Sequence, residues 1–408
     1  MPRSTDQVDD EPILQLPPCI GPEPFILPDV TQQQPRRDRV RTLPDVVVII
    51  VGFHNAEDVV RCLRSLSLAS PSPCFDVFIA ENGGEDASNA LHHALAADRG
   101  PCEAAPELEP AFAGAAAPHT KAYRLVRMPG QPEIRVYVAQ MCENLGYAGA
   151  INAWLRTLLR HPGWRATWIL NPDTEPTPSA LLELANYARA HGKGMVGSRM
   201  VDPARPNEVA IRGLRWNKIA ARTTAVDRRA SAAIEPDRAL LEAQLDAPSG
   251  ASLYVTRELI DRIGLMDERY FLYFEDLEWG CRAKALGALG YAHQSVVPHE
   301  GGTTIGSATT RAGSSRLSVY LEFRNRILFV RQRHRAWLPW TVLMQTVHAA
   351  AFMSAGSFRN MRAAARGLAA GLSGETGRPD RILNSHRAGA GRPPRHQADQ
   401  KPKSAASV

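Results

Sequence analysis

Strong apolar runs and amphipathic stretches alternate through the middle of the chain. Residues 46–51 (VVVIIV) are an unbroken β-branched run, the pattern of a strand buried on both faces. Residues 56–68 switch to a helical period, with Val59, Val60, Leu63 and Leu66 on one face. A strand at 75–80 runs into Glu81-Asn82-Gly83-Gly84, and a helix returns at 87–97. The order continues with a strand at 134–138 and a helix at 148–160 whose Ile151, Trp154, Leu155, Leu158 and Leu159 point inward. A strand at 167–170, a helix at 178–191 and a strand at 195–200 follow. This alternation predicts an α/β fold, a mostly parallel sheet flanked by helices with right-handed crossovers. Further on, 249–255 reads as a strand and 278–286 as a helix closed by Gly287. Residues 207–245 are polar and Arg-rich with no clear period, and the Ala/Pro-rich segment 100–118 reads as a surface insertion.

The two ends break this order. Residues 1–43 read as an irregular, Pro-rich arm whose acidic start does not resemble a secretory leader. The body is expected over 44–316, a basic helical region over 317–375 and a disordered tail over 376–408. From residue 311 onward, 17 Lys and Arg face four acids, so the rest of the chain is net acidic although the total charge is +6. The basic stretch also carries Trp337, Leu338, Trp340, Val342, Leu343 and Met344. Arginines beside Trp and aliphatic residues suit a segment from 331 to 372 lying on an anionic membrane surface. The competing reading is a helical hairpin packed on the body. No run of about 20 apolar residues is present, which argues against a spanning helix. The six cysteines form no CxxC pair, so free thiols in a reducing cytoplasm are expected rather than a zinc cage or a disulfide framework. Without a recognisable RNA or DNA module, no nucleic-acid partner is expected.

In open α/β sheets, ligands bind beyond the carboxyl ends of the strands. That rule singles out the loops at 53–55, 81–86, 145–152 and 171–175. Glu81 ends a strand there, where an acid accepts hydrogen bonds from a base or ribose; an exposed loop acid or helix cap is the alternative. Gly146 and Gly149 precede a helix N-terminus, a setting that favours a diphosphate but also marks ordinary turns. Asp173 suits a divalent cation or the cap of the next helix. Glu275 and Asp276 follow the aromatic run Tyr270-Phe271-Leu272-Tyr273-Phe274. Adjacent acids at a helix start complement the dipole, and beside apolar groups one becomes a general base. His299 lies at the base of the Gly/Ser/Thr-rich stretch 301–315, a candidate lid.

In this order the motifs resemble glycosyltransferase family 2, with the GT-A fold, and most closely its rhamnosyltransferase-like bacterial members. Gly52-Phe53-His54-Asn55 stands at the family's first loop, Glu81 to Asp86 at its DNxSxD, Asn144 to Asn152 at its NxGxaxgxN, and Asn171-Pro172-Asp173 at its DXD variant. Gly250-Ala251, Arg257, Gly264, Asp267-Glu268, Phe271, Tyr273, Glu275-Asp276, Arg282 and Gly287 follow the family's second half. His299 to Gly302 and Arg324-Asn325-Arg326 complete the likeness, which spans roughly residues 45–377. Glu81 and Glu278 stand where Asp is usual, and Gly84 replaces a Ser.

The resemblance implies a donor half at 44–200 and an acceptor half at 201–316. It implies an inverting transfer of a sugar, rhamnose favoured, from a nucleotide-diphosphate sugar to a hydroxyl of a glycan or polyprenyl-linked acceptor. The donor would meet Asn55, Glu81, Asp86, Gly149, Asn152 and Asp173. Asp173 and His299 would hold a Mn²⁺ or Mg²⁺ ion. Asp276 would be the base, and Glu275, Asp267 and Arg282 would contact the acceptor. The alternatives are a UDP- or GDP-hexose or galactofuranose donor, or a module that binds nucleotide sugars without catalysis. The resemblance places the enzyme in the cytoplasm, in peripheral contact with the inner face of the membrane, making cell-surface polysaccharide.

Overall fold

A computed structural model describes residues 43–108, 119–300, 314–380 and 382–383. The β-branched run forms β1 (Val46–Gly52), buried along its whole length. Successive side chains of a strand point to opposite faces, and here each face meets its own core. Val46, Val48 and Ile50 pack with Val59 and Leu63 of α1 (Ala56–Ser67), Leu91 of α2 (Glu85–Ala96) and Leu181 of α4 (Ala180–His191). Val47, Ile49 and Val51 pack with Ile151 and Trp154 of α3 (Gly146–Leu158), Leu259 of α6 (Arg257–Ile263) and Trp279 of α7 (Glu275–Lys284). A continuous apolar run is what a strand covered by helices on both sides needs.

β1 pairs in parallel with β2 (Phe75–Glu81) and β6 (Ala166–Leu170), and β2 with β5 (Arg135–Gln140). β11 (Ser252–Thr256) runs antiparallel to both β6 and β7 (Met195–Asp202). The two reversals restore the direction of β7, and β12 (Leu289–Pro298) pairs with it in parallel. The carboxyl ends of β1, β2, β6 and β12 therefore open on one edge, and the site lies there. β3 (Cys102–Ala104) and β4 (His119–Leu125) extend the sheet antiparallel beyond β5. The architecture is the expected one, helices on both faces of a mixed, mostly parallel central sheet, with a C-terminal helical extension.

Several elements escaped the sequence pattern. β4 was unforeseen. The segment 207–245 holds β8 (Arg205–Ile211), the hairpin β9 (Leu214–Asn217) and β10 (Arg222–Ala225), and α5 (Arg238–Gln244). The helix expected at 278–286 begins at Glu275, so Glu275 and Asp276 share its first turn. The arm 1–42, the rest of the insertion at 109–118, most of the candidate lid (301–313) and the tail from 384 lie outside the described residues.

The turn before α7 is held from the C-terminal side. Phe271, Tyr273 and Phe274 all have positive φ (65°, 70° and 76°), which costs energy for residues with a Cβ. α8 (Arg316–Arg333) runs beneath this turn. Asn325 Nδ2 donates to the carbonyls of Tyr270 (2.9 Å), Leu272 (2.8 Å) and Tyr273 (2.9 Å). Arg324, fully buried, adds a bond from Nη2 to Tyr270 O at 2.9 Å and one from Nη1 to Gly377 O at 2.7 Å. The stretch around Gly377, expected to belong to the tail, is thus tied to the body. α9 (Leu338–Ser354) and α10 (Phe358–Leu372) pack on α8 through Phe323, Phe352 and Ala364. Arg331 caps the last carbonyls of α10 (Gly371 O, 2.8 Å; Leu372 O, 2.7 Å) and Arg333 pairs with Glu278. Two arginines expected to face a membrane are therefore structural.

Asn325→Ala should remove the amide donor from the Leu272 and Tyr273 carbonyls, leave Tyr270 O to Arg324, and destabilise the protein by about 2–4 kcal/mol, read as a shift in urea midpoint. A loss under about 0.5 kcal/mol would show that the strained turn holds itself.

Candidate active site

β6 ends at Leu170 and β12 at Pro298, and the loops beyond them are joined by an antiparallel bridge between Thr174 and His299. His299 N donates to Val201 O at 2.9 Å, which fixes the histidine against β7. Two side chains far apart in sequence thereby converge. His299 Nε2 stands 3.2 Å from Asp173 Oδ1, and the Asp173 side chain is only 6% exposed. That imidazole nitrogen is buried and has no hydrogen-bond partner among the described residues. An orphaned ring nitrogen beside a buried carboxylate fits a cation between them; the nitrogen and oxygen donors suit Mn²⁺ or Mg²⁺. No group of three such side chains gathers among the described residues, so solvent or substrate oxygens would have to complete the shell.

Glu275 and Asp276 form a second acidic centre at the start of α7. Glu275 is 3% exposed, and its Oε2 has no partner among the described residues. Burial, with the neighbouring Asp276 adding to it, pushes its carboxyl well above the usual range. Asp276 is half-buried, and burial raises its carboxyl too. The N–H groups of Leu277 (2.7 Å to Oδ1) and Gly250 (3.3 Å to Oδ2) oppose that rise by favouring the anion. Gly250 leaves room for this contact, because a Cβ there would sit 2.9 Å from Asp276 Oδ2. The Tyr147 hydroxyl lies between the centres, donating within 2.9 Å of both Asn171 Oδ1 and Gly250 O.

Both centres line one cleft of about 500 Å³. Its walls include Phe53 and Asn82 at the β1 and β2 ends, Asp173 and His299, Tyr147 with Phe271, and Glu322 with Arg326 of α8. Several expected site residues make their contacts within the frame. Glu81 is buried beneath the edge, its Oε1 accepting from Gly83 N at 2.9 Å; Asn82, its neighbour, reaches the cleft. Asn55 accepts from Phe53 N at 2.8 Å, and Asp86 lies exposed in the first turn of α2. Asn152 is a strut, with Nδ2 on Met266 O (2.9 Å) and Glu268 Oε1 (2.7 Å). Gly149 packs against Leu145, while Gly146, at φ +72°, touches Phe271 O so closely that no Cβ fits. The N-terminus of α3 is partly spoken for, with Gly146 N on Asn144 Oδ1 and Tyr147 N on Phe271 O, which weakens its reading as a diphosphate seat.

Asp267 starts the turn at Glu268–Tyr270. Burial pushes its carboxyl up, but bonds from Arg269 and Gln332 outweigh this and hold it below the usual range. Arg282 binds Glu278 and the carbonyls of Ile263 and Leu265. Neither residue lines the cleft. Tyr147, Asn82 and Arg326, which do, were visible inside the motifs but carry no chemistry that marks them out from sequence.

No protein-family model matches the chain. Over 322 residues it is 25% identical to an N-acetylglucosaminyl-diphospho-decaprenol L-rhamnosyltransferase of Mycobacterium tuberculosis (strain CDC 1551 / Oshkosh), the match covering 72% of this chain and 88% of the relative. The same protein of strain H37Rv matches with equal figures. This chain is a distant relative of that rhamnosyltransferase. Among solved structures it overlaps the mannosyltransferase PcManGT of Pyrobaculum calidifontis, in complex with GDP-Man and Mn²⁺, at TM-score 0.43 and 15% identity, covering 91% of this chain and 84% of that one. S. aureus TarS residues 1–349, in complex with UDP-GlcNAc, overlaps at TM-score 0.40 and 12% identity, covering 70% and 66%. Overlaps this loose assign neither donor nor acceptor to this chain.

The carboxyl pair should take up protons above the ordinary carboxylate range. Asp276→Asn removes a neighbouring negative charge, so the Glu275 titration should move down toward that range. Carboxyl ¹³C shifts followed against pH check both; ordinary values for the pair in the native protein would contradict the buried geometry.

Proposed function

We propose that the chain is an inverting glycosyltransferase that moves rhamnose from dTDP-rhamnose to a hydroxyl of a glycan or polyprenyl-linked acceptor. The observation that carries this reading is the single cleft shared by the Asp173–His299 pair and Asp276. Asp173 and His299 would hold a divalent cation, which when bound offsets the charge on the departing nucleoside diphosphate. Asp276 accepts the proton of the acceptor hydroxyl as its oxygen bonds to the anomeric carbon. The bond from that carbon to the diphosphate oxygen breaks with inversion, and the electron pair leaves with the nucleotide. The N–H groups of Leu277 and Gly250 keep the Asp276 anion available against the effect of burial. Glu275 is the more deeply buried of the two; its carboxyl is pushed well above the usual range, and it helps to orient the acceptor. The curated relative's name supports both the rhamnosyl donor and a lipid-linked acceptor.

Calorimetry with dTDP-, UDP- and GDP-sugars, each with and without Mn²⁺, tests the reading. dTDP-rhamnose should bind in a Mn²⁺-dependent manner, and Asp173→Ala should abolish that dependence. Asp276→Asn should keep donor affinity and lower turnover by about 10²–10⁴. Preference for a UDP- or GDP-sugar would replace the donor assignment, and wild-type turnover in Asp276→Asn would remove the base.

The same reading includes peripheral attachment to an anionic membrane. No helix among the described residues is long and apolar enough to cross a bilayer. On α9, Trp340, Leu343 and Val347 are 40%, 54% and 53% exposed at helical spacing, and Phe358 at the start of α10 is 60% exposed. Arg335, Arg359, Arg362 and Arg366 are exposed around them. The opposite faces of α9 and α10 pack on α8, so packing on the body and docking on lipid are compatible. Co-sedimentation with anionic vesicles at low salt should fall at least about tenfold in a Trp340→Glu, Leu343→Glu variant. Equal binding to neutral vesicles, or none in the native protein, would reject the attachment.

A further inference from the structure

The far wall of the cleft holds a cation that the proposed chemistry does not use. Arg326 is 7% exposed, and among the described residues it is the one Lys or Arg that lines the cleft. Its Nε has no hydrogen-bond partner among those residues. Nη1 reaches only His348 Nδ1 at 3.4 Å, Nη2 lies 3.8 Å from Glu322 Oε2, and Phe323 stacks against the guanidinium at 5.3 Å. A buried guanidinium is normally saturated with acceptors, and an under-used one facing a cavity is arranged for an acceptor from outside. Glu322, 51% exposed, pairs with Arg326 only at 3.8 Å, beyond hydrogen-bond reach, so it leaves the guanidinium's donors unsatisfied.

The surroundings indicate what brings that acceptor. Leu214, Leu272, Leu317 and Leu383 line the same cleft. Thr223 of the β9–β10 hairpin lines it as well, and the hairpin's tip carries Ile219, 71% exposed. Ile219 O accepts from Trp340 Nε1 at 2.8 Å, which joins this end of the cleft to the exposed apolar row of α9. Apolar walls thus lead from Arg326 toward the face proposed to meet lipid.

We propose that Arg326 is the anion subsite of the acceptor, seating a phosphate that links the acceptor sugar to an apolar chain. The inference rests on the transferase reading for its meaning, but the subsite is testable without turnover. Calorimetry in the presence of a metal chelator would compare hexyl phosphate, inorganic phosphate and neutral hexyl glucoside. Hexyl phosphate should bind at least about tenfold more tightly than either of the others, since it alone satisfies both the guanidinium and the leucines. Arg326→Gln should erase its advantage over the glucoside. Asp173→Ala should not, and in a separate titration without chelator dTDP with Mn²⁺ should not displace it. Glu322→Gln, at a half-exposed position that the fold tolerates, should tighten phosphate binding by removing the competing carboxylate. Equal affinity for inorganic phosphate would assign the site to free phosphate. Displacement by dTDP would assign Arg326 to the donor. No preference over the glucoside, or an unchanged Glu322→Gln, would overturn the subsite. A failure of dTDP-rhamnose to bind would count against the transferase reading alone.

Discussion

The hydrogen bonds from Arg324 and Asn325 to the carbonyls of residues 270–273 are the constraint on which the active-site geometry rests. Three positive-φ residues within four positions do not hold themselves in water. The buried amide of Asn325 supplies donors at the spacing that the turn presents. With the turn fixed, Phe271 O meets Tyr147 N, α3 starts at Gly146, and α7 starts at Glu275 with Asp276 against Gly250. The C-terminal helices are therefore a structural part of the site. One face of α8 grips the turn before α7 and another presents Arg326 to the cleft.

Charge organises the cleft as strongly as shape. Asp173, Glu275, Asp276 and Glu322 surround a space shared with one buried guanidinium and one orphaned imidazole. Carboxylates this concentrated repel one another, and they are relieved in different ways. Burial pushes Glu275 toward its neutral form, Asp276 accepts from backbone N–H groups, and Asp173 faces the His299 imidazole. One fold edge thus holds acids of unequal character, and unequal acids can take unequal roles.

The central fold was legible because its signals are local and unambiguous. A run such as residues 46–51 has few other destinations than a doubly covered strand, and the 3.6-residue period of α1 and α3 marks one buried face. The strands between 205 and 225 were not legible, because they are polar and marginal: β8 pairs with β7, and β9 with the four-residue β10, without alternation to read. The start of α7 was misplaced because a helix entered from a left-handed turn carries no capping residue, only Phe274. Within the site, Asp173, Asp276 and His299 meet in the cleft as their motifs suggest. Asn152, Gly149, Asp267 and Arg282 turn out to support the frame. A motif residue that braces a loop and one that touches a ligand look alike in sequence, since both are polar side chains at fixed spacing.

The bridge between Thr174 and His299 has a consequence for how the protein comes into being. The Asp173 carboxylate follows the fourth strand of the parallel core, whereas the His299 imidazole follows the last strand of the sheet. Closing that contact means paying the loop entropy of everything between them, including the β9–β10 ribbon and α5. A nascent chain that has not yet added β12 has an acidic strand end and no histidine beside it. Long-range contacts of this kind form slowly. The contact between Asp173 and His299 is thus absent from any chain in which β12 has not yet docked, and its formation reports that β12 has joined the sheet.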